Sequence, residues 1–134
     1  MNPEDYVSYP IALALKEAGF DWPCRYYYNL KGMLRKAKDN ALSPEVLNNR
    51  YLDEIADGVC SAVPLWQAQK WLRERKKLHC QVLLNGVRSM YFWQIRELVG
   101  NGKHAESKHQ YEIYEDAMND CIAAALELIE KKGE

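Results

Sequence analysis

His104, Glu106 and His109 are the nearest thing in this chain to a metal-ligand set. Imidazole nitrogens and a carboxylate together can bind a divalent cation. Gly102 lies just upstream, and Ser107 reads as a helix cap between them, so the segment is read as a solvated loop. His79 falls in a predicted hairpin beside Phe92; Cys80 follows it, but strand alternation places the two on opposite faces, so no nucleophile is paired with it. Six carboxylates crowd the last predicted helix: Glu112, Glu115, Asp116, Asp120, Glu127 and Glu130. Paired acids can hydrolyse glycosides, but these stand opposite an apolar stripe and read as a solvated face. No catalytic residue, metal or cofactor is assigned.

Cations and aromatic rings are more suggestive. Lys70, Arg73, Arg75, Lys76 and Lys77 form one basic cluster, and Arg35, Lys36 and Lys38 form a second. Near them stand Trp66 and the run Tyr26-Tyr27-Tyr28. A groove for single-stranded nucleic acid uses this combination, because charge tracks phosphates while rings stack on bases. The competing reading makes the rings core and lets the long cations lie along its rim. Strand alternation must point Tyr27 away from Tyr26 and Tyr28, and Phe92 away from Tyr91 and Trp93. A two-layer domain buries one sheet face, so some rings are left on the other, where they suit a partner surface.

Composition narrows the classes. The 134 residues are 48% hydrophobic and 28% charged, which fits one folded domain over 1–134. The net charge of −1 lacks the basic excess common in proteins that grip duplex nucleic acid. Cys24, Cys60, Cys80 and Cys121 show no zinc spacing. They read as free thiols, consistent with a reducing cytoplasm. No apolar run approaches the ~20 residues of a spanning helix, so no membrane association is expected.

Periodicity supplies the elements. A first helix is predicted over 8–18, with Val7, Ile11, Ala14, Leu15 and Ala18 on one face and Gly19 as its stop. Tyr26-Tyr27-Tyr28 and Met33-Leu34-Arg35-Lys36 read as a hairpin turned at 29–32, with Gly32 at positive φ. A rival helix over 30–38 is weakened by about 1 kcal/mol at Gly32. Residues 39–62 read as an irregular loop, with a helix start at Ser43-Pro44-Glu45 and a turn at Asp57-Gly58. A second helix is expected over 64–77, striped by Leu65, Ala68 and Leu72 with Trp71 beside them. A hairpin turned at Asn85-Gly86 follows. That two-residue turn pairs Leu84 with Val87, Cys80 with Tyr91 and Leu78 with Trp93, and leaves His79 with Phe92 and Gln81 with Met90 on the other face. Ser107 and Gln110 form a capping box for a last helix striped by Tyr111, Tyr114, Met118, Cys121, Ile122, Ala125, Leu128 and Ile129. The fold class is α+β: an antiparallel sheet of three to four strands, with hairpins near 25–36 and 78–96, and about three helices packed mainly on one face.

Several of these segments carry a resemblance. They are Leu15-Lys16-Glu17-Ala18-Gly19-Phe20-Asp21, Cys24-Arg25-Tyr26-Tyr27-Tyr28, Gly32 with Leu34-Arg35-Lys36, Ser61-Ala62-Val63-Pro64, Lys70-Trp71-Leu72-Arg73-Glu74 and Tyr114-Glu115-Asp116-Ala117. In order and spacing the chain resembles an uncharacterised family of short proteins encoded by gut Bacteroidetes and their phages or mobile elements. The resemblance implies a small α+β fold and brings no catalytic residue. Family members often have a small polar residue after the proline and a histidine near the helix end, where this chain has Leu65 and Lys76-Lys77.

The expectation is a small non-enzymatic accessory or binding protein. Its surface would use Lys70, Arg73, Arg75, Lys76, Lys77, Arg35, Lys36, Tyr27 and Phe92 toward a protein partner or a second copy. Single-stranded nucleic-acid binding is the alternative. An enzyme working through His104, Glu106 or His109 is the third reading.

Overall fold

A computed structural model describes residues 2–36, 48–49, 58–100 and 103–132. The chain folds as two compact units, Met1–Pro64 and Leu65–Glu134. Each holds a three-stranded antiparallel sheet, so the α+β class stands, with its strands in two sheets where one was expected.

In the first unit, α1 (Tyr9–Glu17) buries Ile11, Ala12 and Leu15. Pro10 sits in its first turn, where an amide has no helical partner to lose. Gly19 ends it at φ +99, and the Phe20 amide donates back to the Leu15 carbonyl at 2.9 Å, which places the Phe20 ring in the core. The sheet order is β2-β1-β3, from β1 (Tyr26–Asn29), β2 (Leu34–Lys36) and β3 (Gly58–Ser61). The first hairpin is as expected: Tyr28 faces Leu34, and Gly32 takes φ +73. Asn29 fastens the turn, its Oδ1 accepting from the Lys31 and Met33 amides at 2.9 and 3.0 Å. Tyr28 is buried and its hydroxyl donates to the Val7 carbonyl at 2.7 Å. Strand β3 was not expected, because a turn was read at Gly58. The helix start read at Ser43-Pro44-Glu45 and the cation Lys38 lie outside the described residues.

In the second unit, α2 (Leu65–Arg75) buries Leu65, Ala68, Trp71 and Leu72. Lys77, at φ +58, reverses the chain into β4 (Leu78–Asn85), which pairs with β5 (Met90–Glu97) and, through it, β6 (Lys103–Glu106). The hairpin register differs from the expected one. Leu84 faces Tyr91, Cys80 faces Ile95 and Leu78 faces Glu97, around a four-residue loop over 86–89. Asn85 ends the strand, its Oδ1 accepting from the Val87 amide at 3.1 Å, and Ser89 takes the positive φ. Burial explains the choice: a two-residue turn would set Ile95 opposite Lys76, whereas here Ile95 is fully buried beside Cys80. A shift of four residues preserves strand parity, so the predicted core face survives.

The last helix, α3 (Tyr114–Lys132), starts seven residues after the predicted cap. Ser107 instead extends the sheet: its amide donates to the Trp93 carbonyl and its Oγ accepts from the Trp93 amide. Tyr91 and Tyr111 then exchange two backbone hydrogen bonds of 2.7 Å each. The apolar stripe of α3 runs through Ala117, Met118, Cys121, Ile122, Ala125 and Leu126, while Tyr114 is exposed. Cys80 and Cys121 meet in this core, and all four cysteines are buried free thiols.

Candidate interaction surface

Two of the five cations in and just after α2 have defined side-chain contacts. Lys70 pairs with Glu74 one turn on at 3.9 Å, with both side chains about half exposed, a pair worth only a few tenths of a kcal/mol. The Lys76 ammonium lies 5.5 Å from the centroid of the buried Trp71 ring. Arg75 and Lys77 are exposed, and Arg73 is half-buried. Trp66, which the sequence offers for stacking, is 65% exposed at the start of this helix. The ring beside the cations is Trp71, and it belongs to the core.

Strand alternation gives the second sheet a face formed by His79, Gln81 and Leu83 with Phe92, Gln94 and Arg96. His79 faces Arg96, not Phe92; Gln81 faces Gln94, not Met90; and Phe92 faces Leu83. A row of amide contacts ties the three strands together. Gln81 donates to Gln94 at 3.1 Å, and Gln94 donates to Glu106 at 2.8 Å. The row uses much of the face's hydrogen-bonding capacity internally, and Glu106 adds a negative charge to it.

His79 is half-buried on this face, and its Nδ1 has no hydrogen-bond partner among the described residues. Burial, then the charges of Arg73 and Arg96, hold its pKa below the usual 6.5. Above pH 6.5 the ring is neutral in folded and unfolded chains, and it contributes no pH dependence. As pH falls through 6.5 the unfolded chain takes the proton first. Stability is therefore lost until the folded ring also protonates. An NMR titration of the His79 ring is expected to give a midpoint below 6.5, rising when Arg73 or Arg96 is replaced by Gln.

At the hairpin tip the surface is apolar. Val87 is 96% exposed, and Leu84, Ile113 and Tyr114 are exposed as well. Tyr91 links Leu84 to Tyr114, while Val87 lies in the turn three residues past Leu84 and Ile113 directly precedes Tyr114. Leu84 is the cross-strand partner of Tyr91, and the Tyr91 and Tyr114 rings meet edge to face at 5.7 Å. Single apolar side chains scattered on a surface are ordinary, but a joined group marks an interaction site. The sequence suggested no such cluster, because Tyr114 read as core and Val87 as a paired strand residue.

The remaining candidates lie in the first unit. Tyr27 is half-buried between Arg35 on β2 and Ser61 on β3, pointing away from Tyr26 and Tyr28 as alternation requires. Arg35 and Lys36 are exposed on the outer strand β2.

The sites for chemistry resolve differently. His104 and Glu106 belong to strand β6 and not to a loop. Glu106 accepts from Gln94, while the His109 ring lies 6.2 Å from that of Tyr111. Among the described residues no group of three His, Cys, Asp or Glu side chains is placed to hold a metal ion. Burial pushes the Cys24 thiol up to about 12 and the Cys60 thiol up to about 11, far from the range of a reactive thiolate. Asp120 accepts a 2.8 Å hydrogen bond from the Tyr111 hydroxyl. Among the described residues no helix is long and apolar enough to cross a membrane. No family model, curated protein or solved structure matches the chain.

Proposed function

We propose that the chain is a small non-enzymatic binding protein that engages a protein partner through the β4–β5 hairpin tip and the start of α3. The observation that carries this reading is the exposure of Leu84 and Tyr114 on either side of Tyr91, with exposed Val87 in the adjoining turn and exposed Ile113 directly before Tyr114. Tyrosine anchors of this kind are enriched among the residues that supply most of the energy of protein interfaces, and apolar neighbours exclude water around them. The sequence resemblance suggests an accessory role in a phage or mobile element, and the free thiols suit a reducing cytoplasm. The test uses the chain as bait, comparing wild type with the exposed-site variant Val87→Asp/Ile113→Asp. Loss of a captured partner on substitution supports the reading, and identical capture by both baits contradicts it.

Single-stranded nucleic-acid binding is the second reading. It is favoured by the convergence of Arg73 and Arg96 on His79, with Phe92 on the same face. It predicts oligonucleotide binding that weakens steeply with salt and is largely lost in Lys76→Glu/Lys77→Glu. The internal amide row and the carboxylate of Glu106 on that face favour a protein partner instead.

A further inference from the structure

At the end away from the hairpin tip, the face of the second sheet closes on a cluster of nitrogen side chains. We propose that His79, Arg73 and Arg96 bind a phosphate group carrying two negative charges, either free phosphate or the terminal phosphate of a small ester. The site is separate from the apolar tip and does not rest on that reading.

His79 stands directly opposite Arg96 on β5, where the Cβ atoms of a cross-strand pair are roughly 5 Å apart. Its other side is flanked by α2. Gln69 donates from Nε2 to the Cys80 carbonyl at 2.6 Å, which lays that face of the helix along β4. Arg73 lies one turn further on, on the same face of α2. Because β4 runs back from the reversal at Lys77, that turn sets Arg73 beside His79. The imidazole therefore sits between two guanidiniums, and both charges act on it. Its Nδ1 is enclosed without a hydrogen-bond partner, so Nε2 is the nitrogen that meets a ligand.

The surrounding charges leave this cluster unbalanced. On α2, Glu74 pairs with Lys70 at 3.9 Å, Lys76 rests on Trp71, and Arg75 and Lys77 are exposed. On β5, Glu97 belongs to the opposite sheet face, across from Leu78. On β6, Lys103 is the register partner of Arg96. Glu106 is opposite Gln94, about 7 Å along the sheet, and accepts from the Gln94 amide at 2.8 Å. Among the described residues Arg73 has no carboxylate partner, and Arg96 reaches only the neutral Gln94 oxygen, at 3.4 Å. No carboxylate acts on His79 either. A carboxylate ligand would cancel one of the two guanidinium charges and present two oxygens. A phosphate dianion cancels both, and its oxygens suit a guanidinium on each side and a hydrogen bond from His79. Once bound, it favours the protonated ring.

NMR titration of the His79 ring with inorganic phosphate, at an ionic strength held fixed with chloride, tests this on the full-length chain. Phosphate is expected to shift the ring signals saturably. It is also expected to raise the ring's titration midpoint by about one pH unit, which means roughly tenfold tighter binding to the protonated form. Arg73→Gln and Arg96→Gln, each checked for a native amide spectrum, are expected to weaken phosphate binding by about tenfold or more. Their midpoints start higher and no longer rise with phosphate. Arg75→Gln, which removes an exposed cation from the same helix, should bind as the wild type does. Phenyl phosphate separates the two sources: binding at least as tight as that of phosphate assigns the site to an ester, and weaker binding assigns it to the free ion. The absence of a saturable shift in the wild type, equal weakening by Arg75→Gln, or equal binding of the singly charged dimethyl phosphate overturns the inference.

Discussion

Replacing Trp71 with alanine is expected to destabilise the protein by about 3–5 kcal/mol, the range for deleting a large buried aromatic ring. Trp71 is 3% exposed and lies on the buried stripe of α2 with Leu65, Ala68 and Leu72. Its loss removes the largest side chain from that stripe, and removes the ring on which the Lys76 ammonium rests. Urea unfolding measures the effect. The midpoint should fall sharply with little change in slope, because the same surface is exposed on unfolding. Trp66→Ala is the control. It removes a ring that is mostly exposed, and is expected to change stability by less than about 0.5 kcal/mol. Equal losses for the two tryptophans would contradict the assignment of Trp71 as core and Trp66 as surface.

Asn49→Ala is expected to cost about 2–4 kcal/mol for a different reason. The side chain is buried and serves two backbone groups at once. Its Nδ2 donates to the Phe20 carbonyl at 2.8 Å, and its Oδ1 accepts from the Ser61 amide at 2.8 Å. Asn49 thus fastens the exit of α1 to the end of β3. Alanine leaves one buried carbonyl and one buried amide unmatched, each costing about 1–3 kcal/mol. Urea unfolding should show this loss. Hydrogen exchange should show faster exchange of the Ser61 amide, which loses its acceptor. A stability within about 0.5 kcal/mol of wild type would contradict the two-bond role.

These two residues also mark where sequence reasoning succeeds and stops. Trp71 was legible because helical spacing places it beside Leu65, Ala68 and Leu72. Asn49 was not: the pair Asn48-Asn49 reads as the end of a helix, and nothing local reveals a partner 29 residues away at Phe20. The first hairpin was readable because Gly32 must take a positive φ and Asn29 can fasten its turn. The second was readable in parity but not in register. Asn85-Gly86 favours a tight turn locally, while the burial of Ile95, ten residues further on, selects a longer loop. Strands β3 and β6 escaped notice because Gly-Val-Cys-Ser and Lys-His-Ala-Glu lack alternation, and only their pairing partners make them strands. The same neighbour changes the meaning of Ser107, whose hydroxyl could cap a helix but instead bonds to Trp93.

The candidate surface was legible only in part. The basic cluster is plain in the sequence, but the contacts of Lys70 with Glu74 and of Lys76 with Trp71 are not. The apolar tip was hidden, because Val87 and Tyr114 each fit a buried pattern until the register and the true start of α3 are known. Exposure at the tip is thus a consequence of tertiary pairing, which single-residue patterns do not encode.

The binding role of the hairpin tip is tested most directly by amide hydrogen exchange of the wild-type chain, alone and with the protein it captures as bait. The reading predicts slower exchange in the complex over 84–91 and 112–117. Slowing confined to the segments around Tyr27 and Arg35, or around Lys76 and Lys77, would contradict it.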